Sequence, residues 1–150
     1  MINSIRNIYE HLQDDISRQI FASRLNYNVT DNIKFLREIL EEMNKIYDVF
    51  PDFAAHADQE KIIFGAGEYG RQLKRLYPEV KWNYFVDNNI PSGSYIDGVP
   101  VISFADFEQK HREAYVLISS RHYYREMEDQ CKQNNIPQTN IYSLGGQLTI

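Results

Sequence analysis

Residues 61–70 read Lys-Ile-Ile-Phe-Gly-Ala-Gly-Glu-Tyr-Gly, an apolar run that leads directly into the glycine pattern G-x-G-x-x-G. The next apolar run, residues 82–87, reads Trp-Asn-Tyr-Phe-Val-Asp and ends on an acid at the spacing of about 20 residues that this motif requires. The combination is typical of a strand, a phosphate-binding turn, a helix and a second strand that ends in a ribose-binding acid. The stretch therefore predicts both the start of a parallel α/β sheet and a ligand site.

The three glycines predict three separate roles at the junction of strand and helix. Gly65 permits the tight turn, Gly67 lets the backbone approach a phosphate, and Gly70 lets the helix pack closely on the strand. The N–H groups of the first helical turn then face a negatively charged group. Glu68 lies in that turn and would repel a pyrophosphate unless its side chain points away, although Arg71 could offset it. The alternative is a vestigial site in which the glycines only allow the turn.

Two further groups of residues follow predicted strands and complete the candidate site. Asp87 could accept hydrogen bonds from both ribose hydroxyls, which favours NAD, or it could only organise the Asp-Asn-Asn turn. Methyltransferases also hold the ribose of S-adenosylmethionine with an acid, but the glycine spacing fits a dinucleotide better. Ser119 and Ser120 either contact the ligand or cap a helix. The predicted cofactor-binding residues are Gly65, Ala66, Gly67, Glu68, Tyr69, Gly70, Asp87, Asn88, Ser119, Ser120 and Arg121, and we assign no catalytic residue and no metal ligand.

From Lys61 onward, short apolar runs alternate with helical patterns, which is typical of βαβ units. We predict an α/β fold with a Rossmann-like, doubly wound parallel sheet of about five strands in the order 3-2-1-4-5. Helices are expected after Gly67, over 104–110 and over about 123–134. The predicted strands are Lys61–Phe64, Trp82–Val86, Val99–Ile102, Tyr115–Ser119 and Asn140–Leu144.

Residues 1–58 carry helical patterns and predict an α-helical appendage ahead of the domain at 59–150. Apolar residues fall three or four apart from Ile5 to Leu25, which predicts one helix or two helices joined near Asp14. Another helix follows, with Thr30 or Asp31 as its expected N-cap. The apolar stripe must be buried against the α/β domain or against another chain, and in the second case we expect a second copy of the chain or a neighbouring catalytic domain.

The charge and the cysteine content narrow the class of partner. A net charge of −5 and a pI near 5.3 disfavour a nucleic-acid or anionic-membrane surface, because both need clustered Lys and Arg. The lone Cys131 is compatible with a reducing cytosol. The first residues show neither a signal peptide nor a membrane span, so we expect a cytoplasmic protein.

With these motifs placed, the chain from about 61 to 144 resembles Rossmann-like modules of polysaccharide and nucleotide-sugar biosynthesis proteins. Such modules are similar to the N-terminal domains of nucleotide-sugar dehydratases and sugar acyltransferases and to domains beside FkbM-type methyltransferases. The helical stretch at residues 14–25 also resembles a segment that precedes those methyltransferase domains. The stretches that carry the resemblance of the α/β part are residues 62–70, 85–88, 96–102 and 116–120.

The resemblance implies a module in which the chemistry sits in a neighbouring domain. We therefore expect a non-catalytic domain that binds NAD or a nucleotide sugar and serves glycan biosynthesis. One alternative is a fragment or subunit of a methyltransferase or NAD-dependent nucleotide-sugar enzyme whose catalytic domain is missing. The other is an interaction scaffold with a vestigial nucleotide site.

Overall fold

The computed structural model describes residues 2–47, 58–120 and 122–143. Within the chain, residues fall into two units, Met1–Asp48 and Val49–Ile150. The predicted boundary between residues 58 and 59 stays a prediction, because residues 48–57 lie outside the described part of the chain. No helix among the described residues is both long and apolar enough to cross a membrane.

The first unit contains three helices: α1 (Ile2–His11), α2 (Asp15–Thr30) and α3 (Ile33–Tyr47). The break between α1 and α2 is set by Asp14, whose carboxylate accepts a hydrogen bond from the backbone N–H of Ser17 at 2.7 Å and so caps α2. Between α2 and α3, the buried Ser23 hydroxyl donates to Glu38 at 2.8 Å. Of the two predicted arrangements for the first helical stretch, the structure has two helices.

The predicted N-cap of α3 is wrong. Asp31 adopts a left-handed conformation, with φ 53°, and ends α2, while the Thr30 hydroxyl donates back to the carbonyl of Asn26. The side chain of Asn32 instead accepts from the backbone N–H of Lys34 at 3.1 Å. The N-cap of α3 lies later than predicted because the connection between the helices is short, and Thr30 and Asp31 still belong to the end of α2.

The second unit is a mixed α/β structure with one six-stranded sheet. In chain order its elements are β1 (Lys61–Phe64), α4 (Glu68–Leu76), β2 (Tyr84–Val86), β3 (Tyr95–Ile96), β4 (Val99–Ile102), α5 (Phe104–Lys110), β5 (Tyr115–Ile118), α6 (Tyr124–Gln133), a 3₁₀ turn (Gln138–Asn140) and β6 (Ile141–Ser143). The strand order is β3-β4-β2-β1-β5-β6, and every pair is parallel except β3 with β4.

This order differs from the predicted order of five strands, because the sheet carries an additional antiparallel strand at one edge. Residues 95–102 form a hairpin whose turn, Asp97-Gly98, has φ values of 47° and 79°. Positive φ at both turn positions is the geometry of a two-residue type I′ hairpin. β3 is only two residues long and was not predicted. The remaining parallel strands lie in the order β4-β2-β1-β5-β6.

The strand order reverses direction at β1, so right-handed crossovers are expected to place α4 on one face of the sheet and α5 and α6 on the other. Phe104 and Phe107 of α5 and Cys131 of α6 pack with Ile62 and Phe64, which alternate along β1. All four residues of β1 are buried. This buried central strand fixes the position of the glycine loop that follows it.

Candidate functional site

A cleft of about 430 Å³ opens beyond the carboxyl ends of β1, β2 and β5. The cleft lies at the end of β1, whose neighbours β2 and β5 are on opposite sides of it in the sheet. Open α/β sheets bind ligands at such a point, where the strand order reverses. Nine predicted site residues line the cleft: Gly65, Gly67, Glu68, Tyr69, Gly70, Asp87, Asn88, Ser119 and Ser120. Ala66 is buried beneath the loop, and Arg121 lies outside the described residues.

Two of the glycines are required by the shape of the loop. Gly65 has φ 105°, which side chains with a Cβ rarely adopt. A Cβ on Gly70 would overlap the carbonyl oxygen of Gly65 and would lie 3.0 Å from the Ser119 hydroxyl oxygen. Helix α4 therefore approaches the end of β1 so closely that only a hydrogen fits between them.

Gly67 is different, since no contact within the described residues requires a glycine there. It is the N-cap of α4 with φ −70°, and a Cβ at this position would meet no atom within 4 Å. The intrahelical ladder begins with the Arg71 N–H, which donates to the Gly67 carbonyl at 3.1 Å. Gly67 has no side chain with which to satisfy the amides of the first turn. The space above this glycine is open to the cleft.

Glu68, the acid in the first turn of α4, is bound to the next turn of the same helix. Its carboxylate accepts a hydrogen bond from the Gln72 side-chain amide at 3.1 Å. Arg71, predicted as a balancing cation, instead donates from Nε to the carbonyl of Ala66 at 3.2 Å. Glu68 still lines the cleft, so its charge acts on any anion bound there.

Asp87 joins the end of β2 to the glycine loop. One carboxylate oxygen accepts the backbone N–H of Ala66 at 3.0 Å, and the other accepts the N–H of Asn89 at 2.8 Å. The side-chain oxygen of Asn88 accepts the N–H of Phe104, the first residue of α5, at 3.0 Å. The acid therefore both supports the glycine loop and organises the turn after β2, while Asn88 caps the neighbouring helix.

Ser119 holds the glycine loop from the opposite side. Its hydroxyl lies 3.0 Å from the carbonyl oxygen of Phe64 and 2.8 Å from that of Gly65, and its backbone N–H also donates to Phe64. The residue is only 3% exposed. Ser120 differs, since its hydroxyl accepts the N–H of Tyr123 at 2.8 Å just before α6. Both hydroxyls are thus engaged within the protein, Ser119 with the loop and Ser120 in a turn.

Sequence reasoning missed the residues that form the wall of the cleft beside α6. None of these residues was predicted to belong to the site. The signal was available, because residues that follow β5 must lie beside the glycine loop in a parallel sheet. The lining residues absent from the predicted set are Phe64, Asn89, His122, Tyr123, Met127 and Gln130.

The chemistry of the cleft is that of a binding site with few charges. Among the described lining residues, Glu68 and Asp87 carry carboxylates and His122 carries an imidazole. In the part of the chain that the structure describes, His, Cys, Asp and Glu side chains do not gather in groups of three that could hold a metal ion. Backbone N–H groups of the first turn of α4, together with side-chain amides and hydroxyls of the lining residues, are the uncharged donors that the described site offers to an anion.

Comparison of the sequence with protein-family models and with curated proteins gave no match.

Proposed function

We propose that the α/β unit is a Rossmann-like domain that binds a nucleotide-containing ligand, NAD or a nucleotide sugar, in the cleft beyond β1, β2 and β5. The ligand's pyrophosphate lies over Gly67 and the first turn of α4, and its ribose lies beside Asp87. The domain has no catalytic residue of its own in this account. It serves glycan or polysaccharide biosynthesis in the cytoplasm, beside a catalytic partner.

The open space above Gly67 is the observation that carries this proposal. Gly65 and Gly70 are explained by the turn and by helix packing, so they would be needed even in a vestigial site. Gly67 has an ordinary φ and room for a methyl group. Glycine is also accepted at a helix N-cap, but at this position it additionally leaves the backbone open to another group, as it does to the pyrophosphate in a dinucleotide-binding loop.

The position of Glu68 is compatible with an anion in that space. Its carboxylate is hydrogen-bonded to Gln72 on the following turn. A vestigial site would be favoured by the opposite arrangement, with the carboxylate folded over the loop amides in place of a phosphate. The hydrogen bond to Gln72 leaves the first-turn amides uncovered by this carboxylate, although Glu68 still lines the cleft.

Asp87 retains the capacity to bind a ribose. A carboxylate has about four lone-pair sites, and backbone N–H groups use one on each oxygen. One acceptor site on each oxygen remains for a ribose hydroxyl. Because Asp87 also holds the Ala66 N–H, a ribose bound to it would be fixed relative to the glycine loop. The glycine spacing favours NAD over S-adenosylmethionine as the cofactor.

Calorimetric titration of the full chain with NAD, UDP-glucose and S-adenosylmethionine tests the proposal. We expect saturable binding of NAD or UDP-glucose, and at least a tenfold loss of affinity in Gly67→Ala, because its methyl group occupies the space of the phosphate. The variant is expected to unfold at about the wild-type temperature, so lost binding cannot be attributed to lost folding. No heat and no thermal shift with any of the three ligands would refute nucleotide binding.

A further inference from the structure

Tyr123 exposes a large aromatic ring on the wall of the cleft. Its relative exposure is 67%, and it lines the cleft opposite the turn after β2. No hydrogen bond or ring contact within the described residues involves its side chain. The adjacent Tyr124 is used differently, since its hydroxyl accepts from Arg125 Nε at 3.1 Å. The Tyr123 ring is therefore available to a molecule in the cleft.

The backbone that carries this ring is held in place. The Ser120 hydroxyl accepts the Tyr123 N–H at 2.8 Å, and the Tyr123 carbonyl accepts the Met127 N–H at 3.0 Å in the first turn of α6. The ring thus projects from a fixed turn at the start of a helix. Little conformational entropy is lost when a ligand packs on a side chain with only two rotatable bonds from such a turn.

The segments that follow β2 and β5 lie on opposite sides of β1 and both line the cleft, so a ligand over the glycine loop lies between them. If a pyrophosphate lies over Gly67 and a ribose beside Asp87, the base extends away from the glycine loop. The cleft walls there are Asn88 and Asn89 after β2 and His122 and Tyr123 before α6. Every nucleobase has an aromatic face, and stacking on a tyrosine requires no hydrogen-bond partner.

We propose that Tyr123 is the base-stacking residue of this site and that its ligand is a nucleotide whose base packs on the Tyr123 ring. This inference rests on the proposed nucleotide binding and adds a residue to it. Stacking depends on the ring face rather than on the edge of the base. Nucleotides with purine and pyrimidine bases therefore both bind, and the site recognises the presence of a base more strongly than its identity.

The test uses NAD and UDP-glucose with three variants of the full chain. Tyr123→Ala is expected to weaken binding of either probe about fivefold or more, the range that loss of a stacked aromatic produces. Tyr123→Phe keeps the ring face and is expected to bind within about twofold of wild type. Tyr95→Ala is the matched control, because Tyr95 is 72% exposed but lies on the edge strand β3 and does not line the cleft.

A second readout separates stacking from a structural effect. Base protons that lie over an aromatic ring shift upfield in the ¹H NMR spectrum of the bound probe. We expect this shift in wild type and Tyr123→Phe and its loss in Tyr123→Ala, with unchanged unfolding temperatures. Equal affinities and shifts for wild type and Tyr123→Ala would overturn the inference and leave nucleotide binding intact. No binding of either probe by wild type would overturn both.

Discussion

Gly70→Ala is expected to destabilise the α/β unit strongly, although it adds one methyl group at a helical position. The new Cβ would overlap the carbonyl oxygen of Gly65 and lie 3.0 Å from the Ser119 hydroxyl oxygen, whereas ordinary contacts of a Cβ are 3.4–4 Å. The obstructing atom belongs to the backbone at the end of the buried strand β1, so it cannot rotate away. Helix α4 must therefore move off the sheet.

The size of the effect follows from what α4 buries. Leu73 and Leu76 are 2% and 3% exposed, so a displaced helix loses close packing at both side chains. Overpacking of a core costs about 1–3 kcal/mol and occasionally more, and an immovable obstacle places Gly70→Ala at the upper end of that range. Replacing a helical glycine by alanine returns up to about 1 kcal/mol. We expect a net loss of roughly 2 kcal/mol.

Urea denaturation and thermal unfolding of the full chain measure this loss. A change of roughly 2 kcal/mol in a domain of about 100 residues corresponds to a decrease of about 8–16 °C in the unfolding temperature. Gly67→Ala is the matched control, because its Cβ meets no atom within 4 Å, and we expect its stability to stay within about 0.5 kcal/mol of wild type. Equal stabilities for Gly70→Ala and wild type would refute the close contact between α4 and β1.

Three further changes test other parts of the structure. Ser119→Ala removes the buried hydroxyl that lies against two loop carbonyls. We expect urea denaturation to show a free energy of unfolding lower by about 1–2 kcal/mol. An unchanged free energy of unfolding would contradict the role of this hydroxyl in supporting the loop. Burial raises the pKa of the Cys131 thiol to about 12, so we expect no reaction with a thiol reagent at pH 8 until the chain is unfolded, and rapid labelling of the native protein would contradict this. The hydrogen bonds from Ser17 lower the pKa of Asp14 below its ordinary value of 3.8. Asp14→Ala should therefore lower thermal stability above pH 3.8, and its difference from wild type should shrink as the pH falls through the lowered pKa. A stability difference that does not depend on pH would contradict the role of Asp14 as a charged N-cap.

Local sequence patterns predicted most helices and strands of the α/β unit. The helix over 104–110 begins after Ser103, whose hydroxyl accepts the N–H of Asp106 at 3.1 Å, as expected of a serine N-cap. The strands β1 and β5 contain the apolar runs Ile62–Phe64 and Tyr115–Ile118. The predicted last strand, Asn140–Leu144, corresponds to β6 (Ile141–Ser143); Asn140 instead ends the 3₁₀ turn, and Leu144 lies outside the described residues. These elements could be predicted because they depend on the local sequence and on burial of apolar residues.

Contacts between distant residues account for what the sequence could not predict. The strand β3 forms because Tyr95 pairs with Pro100 across the Asp97-Gly98 turn, and two residues are too short for an apolar pattern. Lys74 of α4 donates to the Asp97 carbonyl at 2.6 Å, a link across 23 residues. Neither segment has a sequence pattern that predicts this hydrogen bond. The position of β3 at the edge of the sheet could therefore be seen only in the folded structure.

The same distinction applies to the candidate site. The glycine spacing predicted which residues border the cleft, since their roles depend on the local turn. It could not show that Asp87 also holds the Ala66 N–H or that the Ser119 hydroxyl faces two loop carbonyls, because those bonds join separate strands. Tyr123 was missed for a different reason: the end of β5 was predicted to lie beside the glycine loop, but no local pattern distinguishes a ligand-contacting tyrosine after that strand from any other exposed tyrosine.

A crystal structure of the chain soaked with NAD or UDP-glucose is the most direct test of nucleotide binding at the glycine loop. The account predicts electron density for a pyrophosphate over Gly67 and the first turn of α4, a ribose within hydrogen-bond distance of the Asp87 carboxylate, and a base on Tyr123. Density for either ligand away from the cleft, or a cleft that stays empty at saturating concentrations of both ligands while Gly67 remains accessible to solvent, would contradict it.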